Sequence, residues 1–140
     1  MNDIGIQMGD KVTVLVMDDA TVVRSLLASM LAEIDSVERI VQADDAASAL
    51  RLVDEHRPDI AILDIKVPGA GPVRNGIDVL RQVKCTHPDT VVMMLTNQAT
   101  ERYRIECKRA GADHFFDKSS EFERLLDKVA AYGSERAGTM

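Results

Sequence analysis

Five short apolar runs alternate along this chain with five stretches whose apolar residues recur at i, i+3 and i+4. The runs at residues 12–18, 37–43, 59–65, 91–96 and 113–117 predict strands. The first, third and fourth are nearly unbroken hydrocarbon (VTVLVM, IAIL, VVMML), as expected of parallel strands covered on both faces. Residues 21–34 predict a helix with Val23, Leu26, Leu27, Met30, Leu31 and Ile34 on one face. Residues 45–56 place Ala49, Leu50 and Val53 together, and residues 76–85 do the same with Ile77, Leu80 and Val83. A fourth helix over 100–110 starts at a Thr cap and stops at Gly111, suited to the left-handed position past a helix end. The fifth opens on Ser120-Glu121-Phe122-Glu123, a capping-box pattern, with Phe122, Leu125, Leu126 and Val129 inward.

Strict strand–helix alternation implies a parallel sheet with helices on both faces. Right-handed crossovers leave few topologies. The leading one is an α/β, flavodoxin-like (βα)5 doubly wound sheet with strand order 2-1-3-4-5. Residues 11–132 read as one domain, with loose ends at 1–10 and 133–140. In such a sheet every strand delivers its C-terminal end to one edge, where ligands bind. Those ends carry Asp18-Asp19, Asp64, Thr96-Asn97 and Lys118.

Composition narrows the function classes. A length of 140 residues suits a single domain with a real core. The net charge of -6 argues against nucleic acid as a direct partner, because phosphate binding needs a basic surface. No apolar run is long enough for a membrane helix, and the first residues lack a signal-peptide core. Cys85 and Cys107 lie far apart with no metal-ligand spacing, so both read as partly buried packing residues in a reduced compartment. The expected location is the cytoplasm.

Three carboxylates gathered at one edge repel each other unless a cation intervenes. An all-oxygen set suits Mg²⁺, and the absence of His and Cys from the set argues against zinc. Thr96 and Lys118 add a hydroxyl and an ammonium, the parts needed to hold a phosphoryl group. A carboxylate can itself be the nucleophile, forming an aspartyl phosphate. Taken singly, each residue has a plainer role. Asp18, Asp19 or Thr21 could cap the first helix, Asp64 and Thr96 could be ordinary strand residues, and Lys118 could be a surface lysine. Phe115 could be simple core. Arg102, Arg104, Lys108 and Arg109 make the fourth helix basic, either as a solvated face or for an acidic partner patch.

Four segments in register, VLVMDDATVVR, PDIAILDIKVP, VVMMLT and FFDKS, resemble a response-regulator receiver domain of two-component signalling. The resemblance implies that Asp64 is the phospho-acceptor, loaded from a sensor histidine kinase or a histidine phosphotransfer protein. It implies Mg²⁺ held directly by Asp19 and Asp64 and the backbone carbonyl of Lys66, and mainly through water by Asp18. Thr96 would donate to the phosphoryl group and Lys118 would pair with it. Phe115 occupies the switch-aromatic position, reshaping the surface of helix 4, strand 5 and helix 5 for a downstream protein. Lys66, Asn97 and Gln98 would tune the phosphate's lifetime. On this reading the chain is a stand-alone receiver and not an enzyme, beyond its own phosphorylation and slow dephosphorylation. No DNA-binding segment is expected after the fifth helix.

The sequence also departs from the family's pattern. Ser119 follows Lys118 where proline is usual, and the bond before it is expected to be trans, since cis costs about 2.5–4 kcal/mol before a non-proline residue. Asn97 is larger than the usual residue there. The stretch 69–75 is longer than the usual connection, and is either a neutral insertion or a lid from which Arg74 reaches toward the phosphate. Two alternatives remain. One is a Mg²⁺-dependent aspartyl-phosphate phosphatase of the haloacid-dehalogenase type, whose nucleophile lies on the first strand. The other is a degenerate receiver that binds partners without phosphorylation.

Overall fold

The computed structural model describes residues 11–138. The elements run β1 (Val12–Met17), α1 (Thr21–Ala32), β2 (Val37–Ala43), α2 (Ala46–His56), β3 (Ile60–Leu63), α3 (Gly76–Thr86), β4 (Val91–Thr96), α4 (Glu101–Arg109), β5 (His114–Asp117) and α5 (Phe122–Gly138). All neighbouring strands pair in parallel, in the order β2-β1-β3-β4-β5. The flavodoxin-like topology expected from the alternation is the one observed. Among the described residues no helix is long and apolar enough to cross a membrane.

The uninterrupted strands are explained by burial on both sides. Leu15, Met17, Ala61, Leu63, Val92 and Met94 face α2, α3 and α4 in one core. Val14, Val16, Ile60, Ile62, Met93 and Leu95 face α1 and α5 in the other. Each large side chain buried here stabilises the fold by about 1.5–3 kcal/mol. Register then sets the edge. Met17 lies opposite Leu63, so the next residues, Asp18 and Asp64, emerge side by side. Thr96 pairs with Asp117, which brings Lys118 to the same edge.

Three expectations are corrected. Leu26, assigned to the inner face of α1, is 55% exposed, because the buried stripe runs through Leu27 and Leu31. Cys85 is exposed rather than partly buried, whereas Cys107 is buried as expected. Residues 133–138 are helical rather than a loose end. Gly133 does not break α5, because its place is set by packing: a Cβ there would meet Ser36 Oγ at 2.1 Å. Arg136, one turn on, pairs with Asp59 at the start of β3 (2.7 Å). Residues 1–10, read as flexible, lie outside the described residues, as do 139–140. Gly111 does adopt a left-handed φ of 104° past α4.

Candidate functional site

Asp18 follows β1 directly, its N–H donating to the Ala43 carbonyl of β2 (3.1 Å). Asp64 follows β3 in the same way, its N–H donating to Met17 (3.1 Å). Both carboxylates are buried, at 4% and 7% exposure, while Asp19 stands exposed beside them. One oxygen from each of Asp18, Asp19 and Asp64 lies within 4.8 Å of the other two.

Among the described residues, Lys118 is the cation that pairs with this cluster. Lys118 Nζ donates to Asp18 Oδ2 (2.6 Å) and to Asp64 Oδ2 (2.8 Å). Burial alone would lower the pKa of this ammonium. The hydrogen bonds and charges of Asp18 and Asp64 outweigh burial and hold it above the ordinary lysine value. Asp18 is fully committed, because its Oδ1 also accepts the Ala20 N–H (2.9 Å). Asp64 Oδ1 and the whole Asp19 carboxylate have no hydrogen-bonding partner among the described residues. Three carboxylates thus share one ammonium.

Neither Asp18 nor Asp19 caps α1. Ala20 occupies the cap position and offers no side-chain acceptor. Thr96 is wholly buried, and its Oγ1 accepts the Gln98 N–H (3.0 Å), which leaves the hydroxyl proton free to donate elsewhere. Asp18, Asp19, Asp64, Lys66, Thr96, Asn97, Gln98 and Lys118 all line one cleft of about 240 Å³. Phe115 does not. It sits half-buried on the α4 side of β5, with the Arg104 guanidinium 4.7 Å over its ring. Arg104 also approaches Glu121 (3.6 Å), whose Oε1 accepts the Asp117 N–H (2.8 Å) just before Lys118.

The Lys118–Ser119 bond is trans, as no peptide bond among the described residues is cis. Asp117 Oδ1 takes both the N–H and the Oγ of Ser119 (2.9 and 2.7 Å), fixing the turn without proline. These bonds also hold the Asp117 carboxyl below the usual range.

Arg74 does not reach toward the cleft. Its backbone N–H and Nε both donate to Asp78 Oδ2 on α3 (2.9 and 3.0 Å), and these bonds depress the Asp78 pKa. The stretch before it closes on itself, with Ala70 and Val73 bridged and Gly71 at φ 60°. Val73 packs against the core and the Pro68 carbonyl accepts the Ala46 N–H (2.9 Å), so the insertion lies toward α2 rather than over Asp64.

Gly76, the first residue of the helix expected over 76–85, has a packing role in the structure. A Cβ there would fall 1.8 Å from the Asp64 carbonyl oxygen, so only glycine lets α3 approach the chain that carries Asp64. The available signal was its place directly after Asn75, whose side chain caps α3.

The cleft fits a hard divalent cation. Its donors are carboxylate oxygens, two charges remain after Lys118 is counted, and Asp19 is free to ligate. The Lys66 carbonyl accepts no backbone hydrogen bond among the described residues, and Lys66 lines the same cleft.

Comparison with known proteins agrees with this geometry. The family model described as "Response regulator receiver domain" matches residues 14–130. Response regulator GacA of Pseudomonas aeruginosa is 30% identical over 118 residues, 84% of this chain and 53% of that protein. The chain therefore spans about half the length of the curated relatives it matches. Among solved structures, the receiver domain of NtrX from Brucella abortus superposes with a TM-score of 0.73 at 30% identity, covering 87% of this chain and 98% of that one. A CheY-like receiver domain protein from Methanospirillum hungatei gives 0.79 at 23% identity, covering 93% and 99%, a likeness of fold.

Proposed function

Because the chain belongs to the family of response regulator receiver domains, we propose that it accepts a phosphoryl group on Asp64 and signals by protein contact. The observation that carries this reading is the under-neutralised cluster of Asp18, Asp19 and Asp64 around Lys118. Asp64 Oδ1, which accepts no hydrogen bond from the described residues, attacks phosphorus of a phosphohistidine on a sensor kinase or phosphotransfer protein. The O–P bond forms as the N–P bond breaks, and the imidazole leaves with the electron pair. Asp19, Asp64 and the Lys66 carbonyl, with Asp18 less directly, would hold Mg²⁺, which would supply positive charge to the oxygens of the transferring group. Lys118 exchanges a carboxylate partner for a phosphoryl oxygen, and the Thr96 proton supplies a second donor.

Phe115, held at the surface under Arg104, is the element through which the change at Thr96 reaches α4, β5 and α5. A downstream protein reads that face. Lys66, Asn97 and Gln98, at the rim of the cleft, set how long the acyl phosphate survives water. The phosphatase alternative loses support here, since it needs its nucleophile on the first strand, where Asp18 has both oxygens engaged.

Incubation with acetyl phosphate and Mg²⁺, followed by intact-mass measurement, tests the reading. One hydroxylamine-labile phosphoryl adduct, absent in Asp64→Asn, is the expected result. No adduct from acetyl phosphate or from any phosphohistidine donor would leave a receiver that acts without phosphorylation.

A further inference from the structure

We infer that Arg24 is a positioning residue for the cation site, bracing the Asp18–Asp19 peptide from one turn inside α1. The inference rests on the metal site proposed above. Helix α1 starts without a side-chain cap, because Ala20 holds the cap position. The loop carrying two of the three carboxylates is closed on itself where Asp18 Oδ1 accepts the Ala20 N–H (2.9 Å), but no cap side chain ties it to the helix. Arg24 supplies that tie. Its Nη1 donates to the Asp18 carbonyl (2.6 Å), and its Nε donates to Gln42 Oε1 on β2 (3.1 Å).

The consequence follows from peptide geometry. The Asp18 carbonyl lies in the plane of the peptide that ends at the Asp19 Cα, so pinning that oxygen pins the direction in which Asp19 departs. Asp19 has no partner of its own among the described residues, and Asp18 and Asp64 repel it. Without the brace the loop would swing outward and Asp19 would spend less time in ligating range. A guanidinium can serve both acceptors at once from one rigid plane, whereas a lysine ammonium is a point charge on a flexible stem.

Mg²⁺ titrated calorimetrically into the full chain, together with amide hydrogen exchange at Asp19 and Ala20, tests the brace. Arg24→Ala is expected to weaken Mg²⁺ binding about tenfold, the size of effect seen when an outer-shell partner of a ligand is lost, and to speed exchange at both amides. Arg24→Lys should recover little of either. Gln42→Ala, which removes only the outer anchor of an exposed pair, should show a smaller change in the same direction while leaving the fold intact. Unchanged affinity in Arg24→Ala, or full recovery in Arg24→Lys, would overturn the inference. If the unaltered protein binds no Mg²⁺, the metal reading fails, and unchanged exchange in Arg24→Ala then overturns the brace as well.

Discussion

At the edge of the sheet where strands begin, Asp59 Oδ1 pairs with the Arg136 guanidinium (2.7 Å) and its Oδ2 accepts the Thr13 N–H (2.9 Å). Asp113 Oδ2, before β5, pairs with Lys84 Nζ and accepts the Val92 N–H (2.8 Å each). At the opposite edge Asp18, Asp19 and Asp64 have, among the described residues, Lys118 as their one ion-pair partner. Both edges use aspartates next to strands, yet the first gives each acid its own cation and its own backbone donor. Those acids staple elements together. The second edge leaves charge over, which costs stability unless a cation binds. An aspartate near a strand end says little by position. The ratio of carboxylates to cations around it separates a staple from a reactive site.

The contrast can be attacked first at Lys118. Lys118→Met leaves two buried carboxylates uncompensated, so urea denaturation in chelator should show a loss of about 3–5 kcal/mol. Mg²⁺ should restore part of it, while phosphoryl uptake stays at least about 100-fold down. Equal stability in chelator would mean that the ammonium does not hold this edge together.

At the other edge, Asp59→Asn should cost about 1–3 kcal/mol, because a partly exposed ion pair and a charged hydrogen bond are weakened. Phosphoryl uptake from acetyl phosphate should be unchanged. A matching fall in uptake would erase the division of labour between the edges.

A smaller effect separates the edges by pH. The Lys118 pKa is raised on folding, so its contribution is fully present below the unfolded value of 10.5 and is lost as pH rises through the higher folded value. The stability difference between the unaltered protein and Lys118→Met should therefore be flat up to about pH 10 and shrink above it. A difference that shrinks on acidification toward neutrality would contradict the assignment.

The strands, their order and the residues at their ends were legible in the sequence, because hydrophobic period and strand–helix alternation are local signals. Asp18, Asp19, Asp64, Thr96 and Lys118 could be gathered at one edge on topology alone. What escaped depends on contacts between distant segments. Gly133 reads as the end of a helix until Ser36 is seen against it. Arg74 reads as a free cation until Asp78 is seen to bind both its backbone and its side chain. Leu26 fits the helical stripe but lies beyond the width that the sheet covers. The roles of Gly76 and Arg24 become visible only once the chains beside them are placed.

The most direct measurement compares thermal melts of the unaltered protein, Asp19→Asn and Asp113→Asn in chelator, then with Mg²⁺. In chelator Asp19→Asn should melt about 2–4 °C higher, because removing one of three crowded charges relieves repulsion. Asp113→Asn should melt lower, having lost its ion pair with Lys84. Saturating Mg²⁺ at about 100 times its Kd should stabilise the unaltered protein and Asp113→Asn by about 2.7 kcal/mol, and Asp19→Asn by much less. If Asp19→Asn instead melts below the unaltered protein in chelator, and Mg²⁺ stabilises all three alike, the strand-end carboxylates are staples and not a cation site.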